Sequence, residues 1–235
     1  MTIEVRTIRL TASQDRLPAL LDLLDDDERA RAQAFRFPHL AAEFIQSHAA
    51  MRTLIGKQTG LRPRAIPLSK GKYGKPRVAG ETGFEFSISH SCGLASFAFS
   101  TQGPVGIDIE KIRVLEDCDA LVQQFFSHSE RDKLGRLRAC DQLRAFYAVW
   151  TRKEAYLKAL GTGLATPPRT ASVTVDPDAA PAVAGASESA QACCHWHLVD
   201  LRVDAGYAAA LAYSGELCPV TMTETVDIAV LLADC

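Results

Sequence analysis

Two acidic residues on one predicted strand are the first candidates for chemistry. Side chains alternate between the two faces of a strand, so in the segment 106–110 Asp108 and Glu110 share one face. Ile107 and Ile109 share the opposite face, which suits a hydrophobic core. Neighbouring carboxylates repel each other unless they are solvated, protonated or neutralised, and a hard divalent cation with oxygen ligands is a natural neutraliser. A half-exposed edge strand with two solvated acids is the alternative.

A predicted helix carries a second unusual combination of side chains. Trp150, Glu154 and Lys158 are spaced four residues apart and therefore lie along one helix face. An aromatic ring followed by an acid and an amine is unusual for a face that should be uniformly apolar or polar. A surface Glu-to-Lys pair, which stabilises a helix only slightly, is the alternative. If Glu154 meets Asp108 and Glu110, however, three carboxylates converge and form a metal site.

The end of another predicted strand contains a histidine between serines. By strand alternation His90 shares a face with Phe86 and Ile88, so a core histidine is one interpretation. Alternation often breaks at a strand end, where a histidine can donate to a phosphate. Lys75, on the preceding turn, would be a second cationic donor. A serine hydrolase is not favoured, because the sequence contains no Gly-x-Ser-x-Gly elbow.

The elements that position these residues follow from hydrophobic periodicity. Helical spacing predicts helices over 40–57, 117–126, 129–138 and 141–160. A period of two predicts strands over 84–90, 94–99, 105–110, 172–175, 196–203, 207–213 and 227–232. Helices grouped apart from strands at hairpin spacing indicate an α+β fold rather than a doubly wound parallel sheet.

Composition narrows the class of protein. The chain has 235 residues, of which 47% are hydrophobic and 23% charged, as in a soluble globular protein. With 26 basic and 28 acidic residues the net charge is −2, so we expect no nucleic acid partner. No apolar run has the length of a membrane helix, and the N-terminus lacks the pattern of a signal peptide. Seven cysteines without framework spacing favour a reducing compartment, so we expect a cytoplasmic protein that binds no membrane.

Taken together, these motifs resemble the surfactin-type 4′-phosphopantetheinyl transferase family. The segments that carry the resemblance are Gly74-Lys75-Pro76, Phe86-Ser-Ile-Ser-His90-Ser, Gly106-Ile-Asp-Ile-Glu110, Phe125-Phe-Ser-His-Ser-Glu130, Trp150-Thr-Arg-Lys-Glu-Ala-Tyr-Leu-Lys158, Gly161-Thr-Gly-Leu164 and Pro167. The strand with paired Asp and Glu, followed by the Trp-x-x-Lys-Glu helix, is the most specific part. The motifs cover the middle of the chain.

The resemblance implies two similar α+β halves packed face to face, with coenzyme A bound in the cleft between them. It places the boundary near residue 104, with an N-terminal half over 1–104 and a C-terminal half over 105–235 that carries the metal site. It also implies a monomer.

The resemblance also implies site residues. The oxygen ligands implied for Mg²⁺ are Asp108, Glu110 and Glu154. The residues implied for binding coenzyme A are Arg29, Arg31, Lys75, Ser89, His90 and Lys158. In this hypothesis the two arginines lie near the 3′-phosphate, Lys158 touches the pyrophosphate, and Ser89 lies beside the nucleotide. Lys75 and His90 contact phosphate.

The implied reaction moves 4′-phosphopantetheine from coenzyme A to a serine of an apo acyl or peptidyl carrier protein and releases 3′,5′-ADP. The catalytic residues in this hypothesis are Glu154 and Lys158. Glu154 would take the serine proton, directly or through a water on the ion, and Lys158 would place fixed positive charge at the leaving group. A Mg²⁺-dependent hydrolase of a nucleotide or coenzyme A pyrophosphate and a non-catalytic coenzyme A-binding module are the alternatives.

Glu130 admits two interpretations. It falls on a position of the family motif that could take part in catalysis. Ser127 and Glu130 also have the spacing of a helix capping box, with the serine at the N-cap and the glutamate three residues later.

Overall fold

The computed structural model of the chain describes residues 2–80, 83–184 and 195–233. Within these ranges the helices are α1 (Leu17–Leu21), α2 (Asp26–Gln33), α3 (Pro38–Thr59), α4 (Cys118–Phe125), α5 (His128–Gly135), α6 (Ala139–Leu160) and α7 (Ile228–Ala233). The strands are β1 (Ile3–Arg9), β2 (Leu68–Lys70), β3 (Pro76–Val78), β4 (Glu85–Ser91), β5 (Leu94–Ser100), β6 (Val105–Lys111), β7 (Ser172–Val173), β8 (Val183–Ala184), β9 (Trp196–Asp200), β10 (Tyr207–Ser214), β11 (Val220–Met222) and β12 (Val226–Asp227). None of the described helices is both long enough and apolar enough to span a membrane.

A 22-residue helix packed on a mixed sheet forms the first half of the fold. The sheet has the strand order β11-β1-β5-β4, and β12 also pairs with β1. One buried cluster joins the apolar face of α3 to the sheet, and its largest members include Phe44, Met51, Ile55, Phe86 and Phe97.

The second half repeats this arrangement with a smaller sheet. Its strand order is β6-β10-β9, all antiparallel, and the 22-residue helix α6 packs on β6 and β10. A separate cluster joins helix and sheet, and its members include Phe146, Val149, Tyr156, Ala210 and Ala212.

One fully buried arginine on each long helix completes the likeness between the halves. Arg52 of α3 pairs with Asp25 and Glu28 at the start of α2 and donates to backbone carbonyls that follow α3. Arg152 of α6 pairs with Asp200 and donates to backbone carbonyls that follow α6. A buried charge needs such partners, and each half supplies carboxylates and backbone carbonyls. The predicted α+β class with two similar halves is confirmed.

The two sheets meet where β4 lies beside β6, and a third apolar cluster fills the space between the halves. Val5 and Ala98 contribute to it from the first sheet, and Ile107, Ile109 and Leu211 contribute from the second. The alternation predicted for the strand 105–110 is therefore correct on its apolar side. Its opposite side faces α6 and a cavity.

The end of the chain returns to the first half. Strands β11 and β12 pair in parallel with β1, at Ile3 with Val220 and at Ile8 with Val226. The first sheet therefore contains strands from both sides of residue 104. The division into 1–104 and 105–235 stays a prediction.

The strand predicted over 227–232 is wrong. Only Val226–Asp227 is extended, and Ile228–Ala233 forms α7. A short apolar run suits a buried strand and a buried helix equally well, so periodicity alone does not decide between them. Ile228 and Leu231 are three residues apart, and both are buried in the core cluster that contains α3. Packing against α3 therefore selects the helix.

Candidate active site

The three carboxylates predicted to bind metal line one cavity with walls from both halves. Its volume is about 460 Å³. The predicted site residues that line it are Ser89, His90, Asp108, Glu110, Glu154 and Lys158. Strand alternation places Asp108 and Glu110 together, and the spacing of four on α6 places Glu154 and Lys158 opposite them, beside Trp150.

A glycine lets α6 approach β6 closely enough to form this cavity. A Cβ atom added to Gly106 would lie 3.0 Å from Cα of Ala159 and closer still to the carbonyl oxygen of Ala155 and the amide nitrogen of Ala159. Any side chain at this position would collide with the backbone of the helix. Because Gly106 is two residues before Asp108, its contact with α6 also sets the distance between Asp108 and the helix residues.

Lys158 and Ser89 hold one oxygen of Asp108. The Nζ atom of Lys158 lies 2.7 Å from Oδ1 of Asp108, and the Oγ atom of Ser89 donates to the same oxygen at 2.8 Å. Lys158 also donates to Ser89 Oγ at 2.9 Å, so the three side chains form a closed triangle. The Oδ2 atom of Asp108 is buried and has no hydrogen-bond partner among the described residues. A buried carboxylate oxygen without a partner is unfavourable, and a cation would satisfy it.

The charged forms of the other two carboxylates are also disfavoured by their surroundings. Burial and the charge of Asp108 raise the pKa of Glu110, although a hydrogen bond from Ser91 acts in the opposite direction. Burial and the charge of Asp108 likewise raise the pKa of Glu154, against the effect of Lys158. A divalent cation between these groups would reduce the repulsion that causes both shifts.

Carboxylate oxygens are the kind of ligand that Mg²⁺ prefers. The described side chains alone, however, do not enclose an ion. Among residues 2–80, 83–184 and 195–233, no group of three or more His, Cys, Asp and Glu side chains is placed to hold a metal. Mg²⁺ is usually bound through one or two carboxylates together with substrate phosphates and waters. The unpartnered Oδ2 of Asp108 and the repulsion with Glu110 and Glu154 suit a cation that the substrate helps to bind.

His90 is exposed at the cavity rather than buried in the core. Partial desolvation by the cavity walls, together with the positive charges of His48, Lys158 and Arg31, lowers the pKa of His90 to about 4. The same concentration of positive charge favours an anionic group beside the ring. Its position is therefore consistent with the predicted phosphate contact.

A second cavity of about 490 Å³ adjoins the first, and both are lined by His48 and Ile88. Arg31, Gly74 of the turn before β3 and Pro76 at the start of β3 line it. The guanidinium carbon of Arg31 lies 5.2 Å from the centroid of the Phe44 ring, within the range of a cation–π contact. The two cavities together could hold a long ligand that carries phosphate groups at separate positions.

Two of the residues predicted to bind coenzyme A lie outside the walls of both cavities. Lys75 donates to the carbonyl oxygen of Val105 at 2.8 Å, and burial lowers its pKa to about 8. Arg29 donates to Asp22 at 2.9 Å and to the carbonyl oxygen of Leu24 at 3.2 Å. Each would have to leave these partners in order to reach a ligand.

His48 is a site residue that the sequence pattern did not reveal. It lies four residues after Phe44 on α3, where the apolar spacing predicts a core position. In the structure its ring stacks on the ring of Phe44, with 3.9 Å between the ring centroids, and its Nδ1 atom lies 2.8 Å from Oε1 of Glu28. The sequence contained one indication of this role, namely a polar residue within the apolar stripe of a helix.

Glu130 makes structural contacts in the folded chain. It is 1% exposed and forms the predicted capping box with Ser127. One carboxylate oxygen accepts from the amide of Val173 at 2.8 Å, and the other lies 2.7 Å from Nζ of Lys153. Glu130 does not line the cavity of the three carboxylates. Its contacts join α5, α6 and β7.

We expect Glu130→Ala to lower the free energy of unfolding by roughly 3 to 5 kcal/mol, because it leaves Lys153 buried without its ion pair. The loss should exceed that of Ser127→Ala, which removes the cap, at a cost of about 1 kcal/mol, and the hydrogen bond that Ser172 donates to Ser127. Chemical denaturation measures both changes. Turnover per folded molecule should be unchanged, and a fall of several orders of magnitude at unchanged stability would make Glu130 catalytic after all.

Comparison with known proteins identifies the family of the chain. The sequence model of the ACPS family, described as the 4′-phosphopantetheinyl transferase superfamily, matches residues 104–212. The 4′-phosphopantetheinyl transferase HetI of a Nostoc species is 34% identical over 161 residues, which cover 67% of this chain and 68% of that protein. The 4′-phosphopantetheinyl transferase Sfp of Bacillus subtilis is 30% identical over 166 residues, which cover 71% of this chain and 73% of that protein.

Among solved structures, the holo-[acyl-carrier-protein] synthase of Thermotoga maritima matches with a TM-score of 0.37 at 20% identity, over 49% of this chain and 65% of that one. This likeness is too weak to bear on the site. The sequence relatives HetI and Sfp, by contrast, align with this chain over more than two thirds of their own length. The family match also contains β6 and α6, the two elements that carry the carboxylates. The chain belongs to the 4′-phosphopantetheinyl transferase superfamily.

Proposed function

We propose that this protein transfers the 4′-phosphopantetheine group of coenzyme A to a serine hydroxyl of an acyl or peptidyl carrier protein. The observation that carries the proposal is the cavity in which Asp108, Glu110 and Glu154 face Lys158 and His90. A phosphoryl transfer needs mainly positioning and charge stabilisation, and this set of residues can supply both.

In the reaction, the serine oxygen forms a bond to the β-phosphorus of coenzyme A and the bond from that phosphorus to the oxygen of 3′,5′-ADP breaks. The serine proton must leave, because a neutral hydroxyl is a weak nucleophile. Glu154 is the first choice of base, since its carboxylate lines the cavity next to Asp108 and Lys158. Lys158 stabilises the charge that develops on the leaving phosphate.

Asp108, Glu110 and Glu154 would hold Mg²⁺ in this proposal, and the bound ion would neutralise the pyrophosphate and the growing charge of the leaving group. The support is the unpartnered Oδ2 of Asp108 and the raised pKa values of Glu110 and Glu154. Lys158 already occupies Oδ1 of Asp108, so the lysine and the ion would share this carboxylate.

The proposed function is tested by incubating the protein with coenzyme A, Mg²⁺ and a panel of apo carrier proteins, followed by intact mass measurement. Transfer adds one phosphopantetheine group to the carrier and produces 3′,5′-ADP. Free phosphopantetheine with unmodified carriers would instead identify a hydrolase. Coenzyme A that binds but stays intact with every carrier would identify a binding module.

We expect Arg31→Ala to raise the KM for coenzyme A by about tenfold, as for the loss of a hydrogen bond to a charged group. Arg31 lines the second cavity, where the 3′-phosphate is proposed to bind. The KM for dephospho-coenzyme A, which lacks that phosphate, should stay unchanged. Arg29→Ala is the matched control, because Arg29 is paired with Asp22. Equal weakening of both substrates by Arg31→Ala would remove this arginine from the phosphate site.

A further inference from the structure

Three serines of β4 make polar contacts with β6 of the second half beside the site. Strands β4 and β6 belong to different sheets, yet the Oγ atom of Ser87 accepts from the amide of Ile107 at 3.1 Å. Ser89 donates to Asp108, as described above. The Oγ atom of Ser91 accepts from the amide of Lys111 at 3.1 Å. Alternate residues of β4 thus use side-chain hydroxyls to bind the neighbouring strand.

Ser91 does more than Ser87 at this junction. It also donates to Oε2 of Glu110 at 2.8 Å, in addition to its contact with the amide of Lys111. A hydroxyl has a single hydrogen to donate, and in Ser91 that hydrogen is committed to the carboxylate. A comparison of Ser87 with Ser91 therefore separates the effect of joining the two strands from the effect on the carboxylate. Both serines bind the backbone of β6, but only Ser91 binds a site carboxylate.

The position of Ser91 is itself fixed from both halves. The next residue, Cys92, has a left-handed φ of 44°, and its carbonyl oxygen accepts from the hydroxyl of Tyr207 at 2.6 Å. Tyr207 belongs to the second half, and its ring lies 4.3 Å from the ammonium group of Lys111. The last residue of β4 and the first residue after it are thus both attached to the second half.

We infer that Ser91 is a positioning residue that holds Glu110 in place for the cation. A glutamate side chain has several rotatable bonds, and the charge of Asp108 repels Glu110 away from the place where both could bind one ion. The hydrogen bond from Ser91 opposes that displacement and couples the carboxylate of the second half to a strand of the first. The inference rests on the metal role of Glu110 in the proposed function.

The inference is tested by binding rather than by turnover alone. Mn²⁺, which has an electron paramagnetic resonance signal when free, is titrated into the full-length protein with coenzyme A and without a carrier protein, so that no turnover occurs. We expect Ser91→Ala to weaken Mn²⁺ binding by roughly tenfold or more, as for the loss of a hydrogen bond to a charged group. With the carrier present, kcat should fall and more Mg²⁺ should be required. The KM for coenzyme A at saturating Mg²⁺ should stay close to that of the wild type.

Ser87→Ala is the matched control. It removes a hydroxyl from the same strand junction and should lower the melting temperature about as much as Ser91→Ala, with unchanged Mn²⁺ affinity. Equal Mn²⁺ affinity in Ser91→Ala and the wild type would overturn the inference. If the alanine variant does not fold, Ser91→Thr and Ser91→Val give the same comparison at equal side-chain volume, and equal affinities would again overturn it. Failure of the wild type to bind Mn²⁺ at all would instead refute the metal role of Glu110, and the inference with it.

Discussion

Replacement of Asp108 by alanine is expected to lower the turnover of carrier protein modification by roughly 10²- to 10³-fold, as for the removal of one preorganised electrostatic group. Asp108 contacts Lys158 and Ser89 through one oxygen and leaves the other unpartnered, and its charge acts on both other carboxylates. Its loss therefore disturbs every charged group around the proposed ion. The fold should persist, because Lys158 is 28% exposed and can be solvated after its partner is removed.

Two further measurements separate charge from shape at this position. Asp108→Asn keeps the volume and an acceptor for Ser89 but removes the charge, so it should be nearly as inactive as the alanine variant. Asp178→Ala removes an exposed aspartate that pairs with Arg144 and should leave turnover unchanged. Chelation of divalent metal by EDTA should abolish the activity of the wild type. Turnover that persists in EDTA would refute the metal hypothesis, whatever the variants do.

The local geometry of this site follows from the sequence because it depends on two regular spacings of side chains, every second residue along a strand and every fourth residue along a helix. Alternation along a strand is enough to place Asp108 with Glu110 and away from Ile107. The spacing of α6 is enough to place Glu154 with Lys158. The meeting of these two elements does not follow from either period, since it depends on the contact between β6 and α6. Only the motif resemblance predicted that meeting.

Contacts that depend on tertiary structure could not be predicted in this way. His48 lies at a spacing typical of a core residue, and only the packing of α3 beside β4 brings it to the cavities. Lys75 lies on a predicted turn near a predicted phosphate site, and the hydrogen bond from its ammonium group to the carbonyl oxygen of Val105 was not predicted. A long flexible side chain can reach several partners, so the position of its Cα atom in the sequence does not fix its contact.

Substitution of Gly106 by alanine should damage both the fold and the site, because the added methyl group meets backbone rather than a movable side chain. The contacts are the carbonyl oxygen of Ala155 and the amide nitrogen of Ala159 in α6. The helix must move outward to make room, and overpacking of this kind costs about 1 to 3 kcal/mol. The same movement carries Glu154 and Lys158 away from Asp108, and a displacement of about 1 Å near reacting groups can lower the rate by roughly 10²-fold.

The measurement that isolates this effect is turnover per folded molecule, taken well below the melting temperature of Gly106→Ala. Gly135→Ala is the control, since a Cβ atom at Gly135, the last residue of α5, has no neighbour within 4 Å. That variant should keep full activity and gain a little stability, because alanine favours a helix more than glycine does. A Gly106→Ala protein with a lowered melting temperature but normal turnover would show that the distance between β6 and α6 is not critical for the reaction. Loss of turnover in the folded protein would instead confirm that Gly106 sets the spacing between the carboxylates of the strand and the residues of the helix.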